Sequence, residues 1–181
     1  MHMKTYPGSK AIERLTPLYD SIRSFETIDE YESFIRTVPR EELLVLAALQ
    51  CDGQVCNGRF RQFFRNWTGN LAPEAADGFE LLGFPDCAKA LRDAMSLFGD
   101  TYPRAYWERH RILEELEFPG GDPKLVTEYD ADVNAILNRM HLATRKPMVE
   151  PFAAMDDVYF SAPHGSSIGD AADQFIDRMN G

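Results

Sequence analysis

The chain contains no apolar run approaching the ~20 residues needed to cross a bilayer, so no membrane association is expected. Cysteine is scarce: Cys51, Cys56 and Cys87 are odd in number and lack framework spacing, which fits a reducing cytoplasm rather than a disulfide-stapled fold. In such a compartment Asn66-Trp67-Thr68 carries no weight as a glycosylation acceptor. The opening Met1-His2-Met3-Lys4-Thr5-Tyr6-Pro7 has no apolar stretch of a secretory signal. Histidine is nearly as sparse. His2, His110, His141 and His164 show no zincin spacing, and Cys51 and Cys56, which read as core thiols, have no partners at metal-ligand distances. There is no G-x-S-x-G elbow and no phosphate-cradling glycine loop. These absences leave no catalytic residue, no metal ligand and no cofactor site to name, and the chain is expected not to be an enzyme. His164 beside Ser166 and Ser167 is an exposed loop of common composition, and Trp107-Glu108-Arg109-His110 reads as a mixed-charge helix surface. An enzyme assembled from scattered residues stays open as an alternative.

Strand patterning is also missing: no sustained alternation, no hairpin turn between β-branched runs and no fixed-period repeat. What is present is helical punctuation. Ser9 to Asp20 places Ile12, Leu15, Leu18 and Tyr19 on one face, with Pro17 expected to bend or interrupt the helix. Thr27-Ile28-Asp29-Glu30 is a capping box ahead of Tyr31, Phe34, Ile35 and Val38. Pro39 suits the first turn of a third helix whose Leu43, Leu44, Leu46, Ala47 and Leu49 are apolar nearly all round, and such a helix must be buried. Pro73, Pro85, Pro103 and Pro123 each precede a helix-compatible run, and Gly83 and Gly99 are stop signals. Further helices are expected over Leu125 to Met140, Phe152 to Phe160 and Asp170 to Met179. At 181 residues and 44% hydrophobic content, the expectation is one compact all-α domain of about nine or ten helices over residues 1–181, with residues 1–8 flexible.

The stretch Asp52 to Gly69 organises the rest. It opens with the turn pair Asp52-Gly53 and then Asn57-Gly58, and Phe60, Phe63, Phe64 and Trp67 follow at helical spacings. Asn57 is expected as an N-cap and Gly69 as a C-terminal stop, which makes the stretch a short, capped, buried aromatic helix. The run from Val55 to Gly69 resembles the signature of the bacterial DNA-mimic protein family, roughly V-N-N-G-G-F-x-Q-F-F-x-N-x-x-G. Val55, Asn57, Gly58, Phe60, Gln62, Phe63, Phe64, Asn66 and Gly69 carry the match. The likeness continues through Leu82-Gly83 and Ala94 to Phe98, and more weakly to Asp157-Val158-Tyr159-Phe160. Cys56 and Arg59 depart from it, standing where the signature has asparagine and glycine, and Arg59 sets a cation where the family has none. Asn57, Gln62 and Asn66 are expected to cap or bridge backbone groups around the aromatic helix, because buried amides are rarely left unpaired.

The resemblance implies a protein-binding role, in which the chain occupies the DNA-binding face of a basic regulator and keeps it off its operator. A module binding proteins through an apolar surface, such as an immunity protein, is the alternative. Charge agrees in sign. Residues 1–70 carry nine basic and nine acidic side chains, whereas residues 71–181 carry ten and twenty, so the whole excess of −10 lies in the later part. Such a chain should repel nucleic acid, whose binding needs Lys and Arg against phosphates. The candidate partner-binding carboxylates are Asp156 and Asp157 with Asp170, Asp173 and Asp177, the last three sharing one helix face at i, i+3 and i+7. Duplex DNA as long as a ~15-residue helix (~22 Å) shows about 13 phosphate charges. No single helix here approaches that, so a mimic would have to pool charge from several helices or across a homodimer.

Overall fold

In the computed structural model, residues 8–22, 27–119, 149–162 and 167–179 are described, and among them every regular element is helical. The helices are α1 (Lys10–Ile22), α2 (Ile28–Ile35), α3 (Arg40–Arg65), α4 (Ala72–Leu81), α5 (Pro85–Ser96), α6 (Tyr106–Glu117), α7 (Ala153–Ser161) and α8 (Ile168–Met179). A short 3-10 turn, Trp67–Leu71, joins α3 to α4. These eight α-helices agree with the expected all-α class, and the helix expected over 125–140 lies outside the described residues. No described helix is long and apolar enough to cross a membrane.

Helix α3 is the hub. It packs most extensively on α4 and also touches α1, α6, α8 and the 3-10 turn, while α4 leans on α5 and α5 on α7. Its first half is apolar all round: Val45, Leu46, Ala47, Ala48 and Cys51 are fully enclosed. One buried cluster runs from Ala11 in α1 to Ile176 in α8. Closest approach is at Gly78 of α4, where a Cβ would stand 2.1 Å from the Leu44 carbonyl oxygen. Only a residue without a side chain lets these two backbones meet.

Local signals set most helix ends. Thr27 Oγ1 accepts from Glu30 N–H at 3.2 Å, and the Glu30 carboxylate accepts from Thr27 N–H at 3.3 Å, which completes the capping box. Pro39 is the N-cap of α3, one residue before its expected place, and Pro73 and Pro85 sit in the first turns of α4 and α5. Gly83 and Gly99 follow α4 and α5 with φ of +89° and +107°, the left-handed geometry of a helix stop. Pro17 does not interrupt α1, which runs through it to Ile22.

The largest correction concerns the signature. It is not a separate helix but the second half of α3, joined to the leucine-rich half across a break at Gly58 and Arg59. Asp52 and Gly53 are helical rather than a turn, because the Asp52 carboxylate accepts the Tyr159 hydroxyl at 2.6 Å instead of turning onto its own backbone. Gly69 lies within the 3-10 turn, so α3 ends at Arg65 and not on that glycine. Of the two thiols read as core, Cys51 is buried and Cys56 is exposed.

The aromatic packet is central. Phe60, Phe63 and Phe64 are fully buried, and the Phe64 ring lies 4.9 Å from Phe98 and 5.1 Å from Phe152, centroid to centroid. We predict that Phe64→Ala costs about 3–5 kcal/mol through the cavity it opens. Gly78→Ala should cost at least as much as a typical overpacking change, about 1–3 kcal/mol, because backbone rather than a flexible side chain is in the way. Urea melts of both variants check these values, and a loss below about 1 kcal/mol for Phe64→Ala would remove the signature from the core.

Candidate functional site

A helix interrupted inside a core leaves backbone N–H and C=O groups without intrahelical partners. At the break, Gly58 takes an extended φ of −161° and Arg59 follows at φ +64°, ψ −175°. The Gln62 side chain folds back over Gly58, and a Cβ there would stand 2.3 Å from Gln62 Oε1. Arg59 occupies a region of backbone space that belongs essentially to glycine, at the position where the resembled signature carries glycine.

The orphan groups find partners far away in sequence. Asn57 Nδ2 donates to the Gly53 carbonyl at 2.7 Å, closing the first half of α3 rather than capping the second. The cap of the second half comes from α7, where Asp156 accepts the Phe60 N–H at 3.0 Å. Asp156 is 1% exposed. Burial raises its pKa, while the Phe60 N–H and the Arg59 guanidinium 3.9 Å away oppose that rise. Gln62 Nε2 and Asn66 Nδ2 both donate to Gln54 Oε1, at 2.9 and 2.5 Å, and so bridge the two halves through a side chain. Val55, Phe60, Phe63 and Phe64 supply apolar filling.

Helix α6 holds the other end. Arg109, fully buried, donates to the carbonyls of Phe64 (2.8 Å), Asn66 (2.9 Å) and Arg104 (2.7 Å), and His110 Nε2 meets the Arg65 carbonyl at 2.7 Å. The arrangement puts a cation and an imidazole against the negative end of the α3 dipole. Glu117, also fully buried, takes Arg61 at 3.1 Å and Arg65 at 2.5 Å. Residues 109 and 110 are therefore interior, not the mixed-charge surface their local sequence suggests. Gly69 fits this clamp: a Cβ there would meet Arg109 Nε at 2.8 Å, and its carbonyl accepts the Tyr102 hydroxyl at 2.7 Å. Burial pushes the His110 pKa down to about 4 and raises that of Glu114.

Outside the break, Val55, Asn57, Arg59, Glu150, Asp157 and Phe160 line a groove of about 780 Å³. The Arg59 guanidinium lies over the Phe160 ring at 5.6 Å. Phe160 and Val158 are about half exposed, at 50% and 46%. Asp157 also borders a shallower depression with Asp86 and Val158. Asp86, Glu150 and Asp157 are exposed and form no ion pair among the described residues.

The five candidate carboxylates do not form one patch. Asp156 is internal, as described. Asp173 caps α1, accepting from Ser9 Oγ (2.6 Å) and Ala11 N–H (2.9 Å), and Asp177 pairs with Lys10 at 2.8 Å. Asp170 pairs reciprocally with Ser167 at the start of α8. Asp157 alone is exposed with no hydrogen bond or ion pair through its carboxylate among the described residues. Sequence reasoning missed Glu150 and Phe160 as neighbours of the signature, and Asp86 as a neighbour of Asp157. Only the weak continuation of the resemblance through Asp157 to Phe160 pointed there. Among the described residues no group of three His, Cys, Asp or Glu is placed to hold a metal.

Two outcomes follow. Arg59→Gly should raise stability by about 1 kcal/mol by releasing the strained backbone, whereas Arg59→Ala, which keeps a Cβ, should not; equal melting points for the two variants would show that the backbone there is unstrained. For His110 the sign is set by a folded pKa below the unfolded value near 6.5: the unfolded chain binds the extra proton between pH 6.5 and 4, so stability falls as pH falls through that window. The loss reaches about 3 kcal/mol by pH 4, partly offset by Glu114, whose raised pKa acts in the opposite sense. His110→Gln keeps a donor for the Arg65 carbonyl, and denaturant melts at pH 4 to 7 should show a flatter profile than the parent.

No curated protein and no solved structure matches the chain. A family model described as DMP19-like protein matches residues 36–178, from the end of α2 to the last turn of α8. The chain therefore belongs to the DMP19-like protein family, a family of DNA mimics.

Proposed function

We propose that this protein is a non-enzymatic acidic binding module that occupies the basic DNA-binding face of a regulatory protein and keeps it from DNA. Membership of the DMP19-like family supports the class of activity. The observation that carries the location is the groove outside the break, where exposed Phe160 lies with Glu150 and Asp157, whose carboxylates form no ion pair among the described residues; across Asp157, Val158 and Asp86 border a second depression. Exposed apolar side chains beside carboxylates suit a partner that offers both basic and apolar contacts, and Arg59 and Arg61 are the cations that share the groove. Asp173 and Asp177 have a different role in this reading, because their carboxylates hold α1 to α8. Asp170 adds charge at the start of α8. The partner works in the compartment of DNA, so the module acts in the cytoplasm. The exposed Val158 and Phe160 also favour a second reading, in which the apolar anchors dominate and the carboxylates mainly confer solubility.

Salt separates the two readings, since charge-driven association weakens with ionic strength and apolar association scarcely does. A DNA-binding regulator captured from lysate at low salt provides the material. Replacing Asp86 and Asp157 by Asn and Glu150 by Gln should slow its association several-fold and flatten its salt dependence, with little change in dissociation. Phe160→Ala should instead speed dissociation. In a competition assay the protein and operator DNA should exclude one another. A ternary complex of regulator, DNA and this protein would end the mimic reading.

A further inference from the structure

The backbone at position 59 suits glycine, and this chain puts arginine there. With φ +64° and ψ −175°, Arg59 holds a conformation in which a Cβ is crowded. Strain kept at an exposed residue on the wall of a groove points to a use for its side chain, because folding alone would favour glycine.

Inside the molecule the Arg59 guanidinium meets little. Nη1 lies 3.9 Å from Asp156 Oδ2, beyond hydrogen-bond reach, and Asp156 Oδ1 is already taken by the Phe60 N–H. The Phe160 ring backs the guanidinium at 5.6 Å. Arg59 donates no side-chain hydrogen bond among the described residues, and its side chain is 56% exposed. Arg61, the other cation of the groove, differs: its Nε and Nη2 go to the fully buried Glu117, at 3.1 and 3.4 Å. Arg59 is thus the groove cation whose donors stay available.

A guanidinium is a planar fork of five N–H donors, and its best complement is a carboxylate that accepts two of them in parallel. Glu150 and Asp157, on the same groove, form no ion pair among the described residues and call for cations instead. A wholly basic surface would set a cation against Arg59, and a phosphate strand would meet Glu150 and Asp157. Like charges brought together in this way exclude a partner.

We propose that Arg59 is a specificity-determining residue: it pairs with a carboxylate of the protein partner, set among the basic side chains that face Glu150 and Asp157. The inference rests on the reading of a basic regulator as partner and narrows it. An acidic side chain is at home on a DNA-binding face, since Asp and Glu accept from the cytosine amino group in the major groove.

The test uses two rhodamine-labelled heptapeptides, six lysines around a central glutamate and six lysines around a central glutamine. Long-range attraction to a chain of net charge −10 favours the glutamine peptide, which is the more cationic. Pairing with Arg59 favours the glutamate peptide, so the two effects have opposite signs. Fluorescence anisotropy at low salt should show the intact protein binding the glutamate peptide about two- to fivefold tighter, the range of an exposed ion pair. Arg59→Gln should reverse the order. Arg59→Lys, which keeps the charge but not the fork, should give an intermediate preference. Arg59→Gly should lose the preference with no loss of melting temperature, which separates recognition from stability. Replacing Glu150 by Gln and Asp157 by Asn should weaken both peptides alike. Equal or tighter binding of the glutamine peptide by the parent overturns the proposal. So does a glutamate preference that survives in Arg59→Gln, or binding of neither peptide. Deca-thymidylate bound more tightly than the glutamate peptide, and lost in Arg59→Gln, overturns it in favour of a phosphate. Failure here leaves mutual exclusion of this protein and operator DNA intact, whereas a ternary complex in that competition leaves the peptide preference standing.

Discussion

The structure depends on satisfying the backbone of one broken helix. Helix α3 is buried on nearly every side, yet it is interrupted at Gly58 and Arg59, and its last turn ends inside the molecule. Each interruption exposes donors or acceptors that water would otherwise meet. Asp156 comes from almost a hundred residues away to take the Phe60 N–H, and α6 sends Arg109 and His110 to the carbonyls of Phe64, Arg65 and Asn66. With those groups paired, the aromatic rings of Phe60, Phe63 and Phe64 can fill the centre. Without them, α3 would have to be one straight rod or two separate helices. The placement of α6 and α7 around α3 is thus an electrostatic as well as an apolar requirement.

This constraint divides the acidic residues into two populations. One is structural: Asp156 and Glu117 sit inside against backbone or guanidinium groups, and Asp173 ties α8 to the start of α1. The other faces outward with no ion pair among the described residues: Glu150 and Asp157 beside Phe160, and Asp86 beside Val158. Net charge counts both populations equally, but only the second can meet a partner. A formal charge of −10 therefore overstates the field that a basic protein would encounter, and the relevant quantity is where the unpaired carboxylates cluster. The break places one such cluster beside an exposed cation–π pair, Arg59 over Phe160.

Arg59 shows how a departure from a family pattern acquires physical meaning. In the sequence it is a cation in place of a glycine. In the structure its φ of +64° with extended ψ is a conformation in which a side chain is crowded, and its guanidinium lies on Phe160 at the groove. A glycine, which the resembled signature carries here, would adopt this backbone without strain; this chain holds the same position with a charged side chain at the rim.

The sequence by itself determined the helical class, the burial of the leucine-rich and aromatic halves of α3, the Thr27–Glu30 capping box and the stops at Gly83 and Gly99. Each follows from residues within a turn or two of one another, where periodicity and capping chemistry act. It misplaced what depends on distant partners. Asp52-Gly53 reads as a turn, but Tyr159 holds Asp52 within the helix; Arg109 and His110 read as surface, but the end of α3 recruits them inward. Asp170, Asp173 and Asp177 do share a helix face, as their spacing requires, yet only the packing of α8 on α1 decides that two of them face a serine, a backbone amide and a lysine instead of solvent. Helical spacing fixes which side chains lie together on one element, because 3.6 residues make a turn. Which element covers that face is settled by the pairing of buried polar groups across the whole chain, and that is a property of the tertiary structure alone.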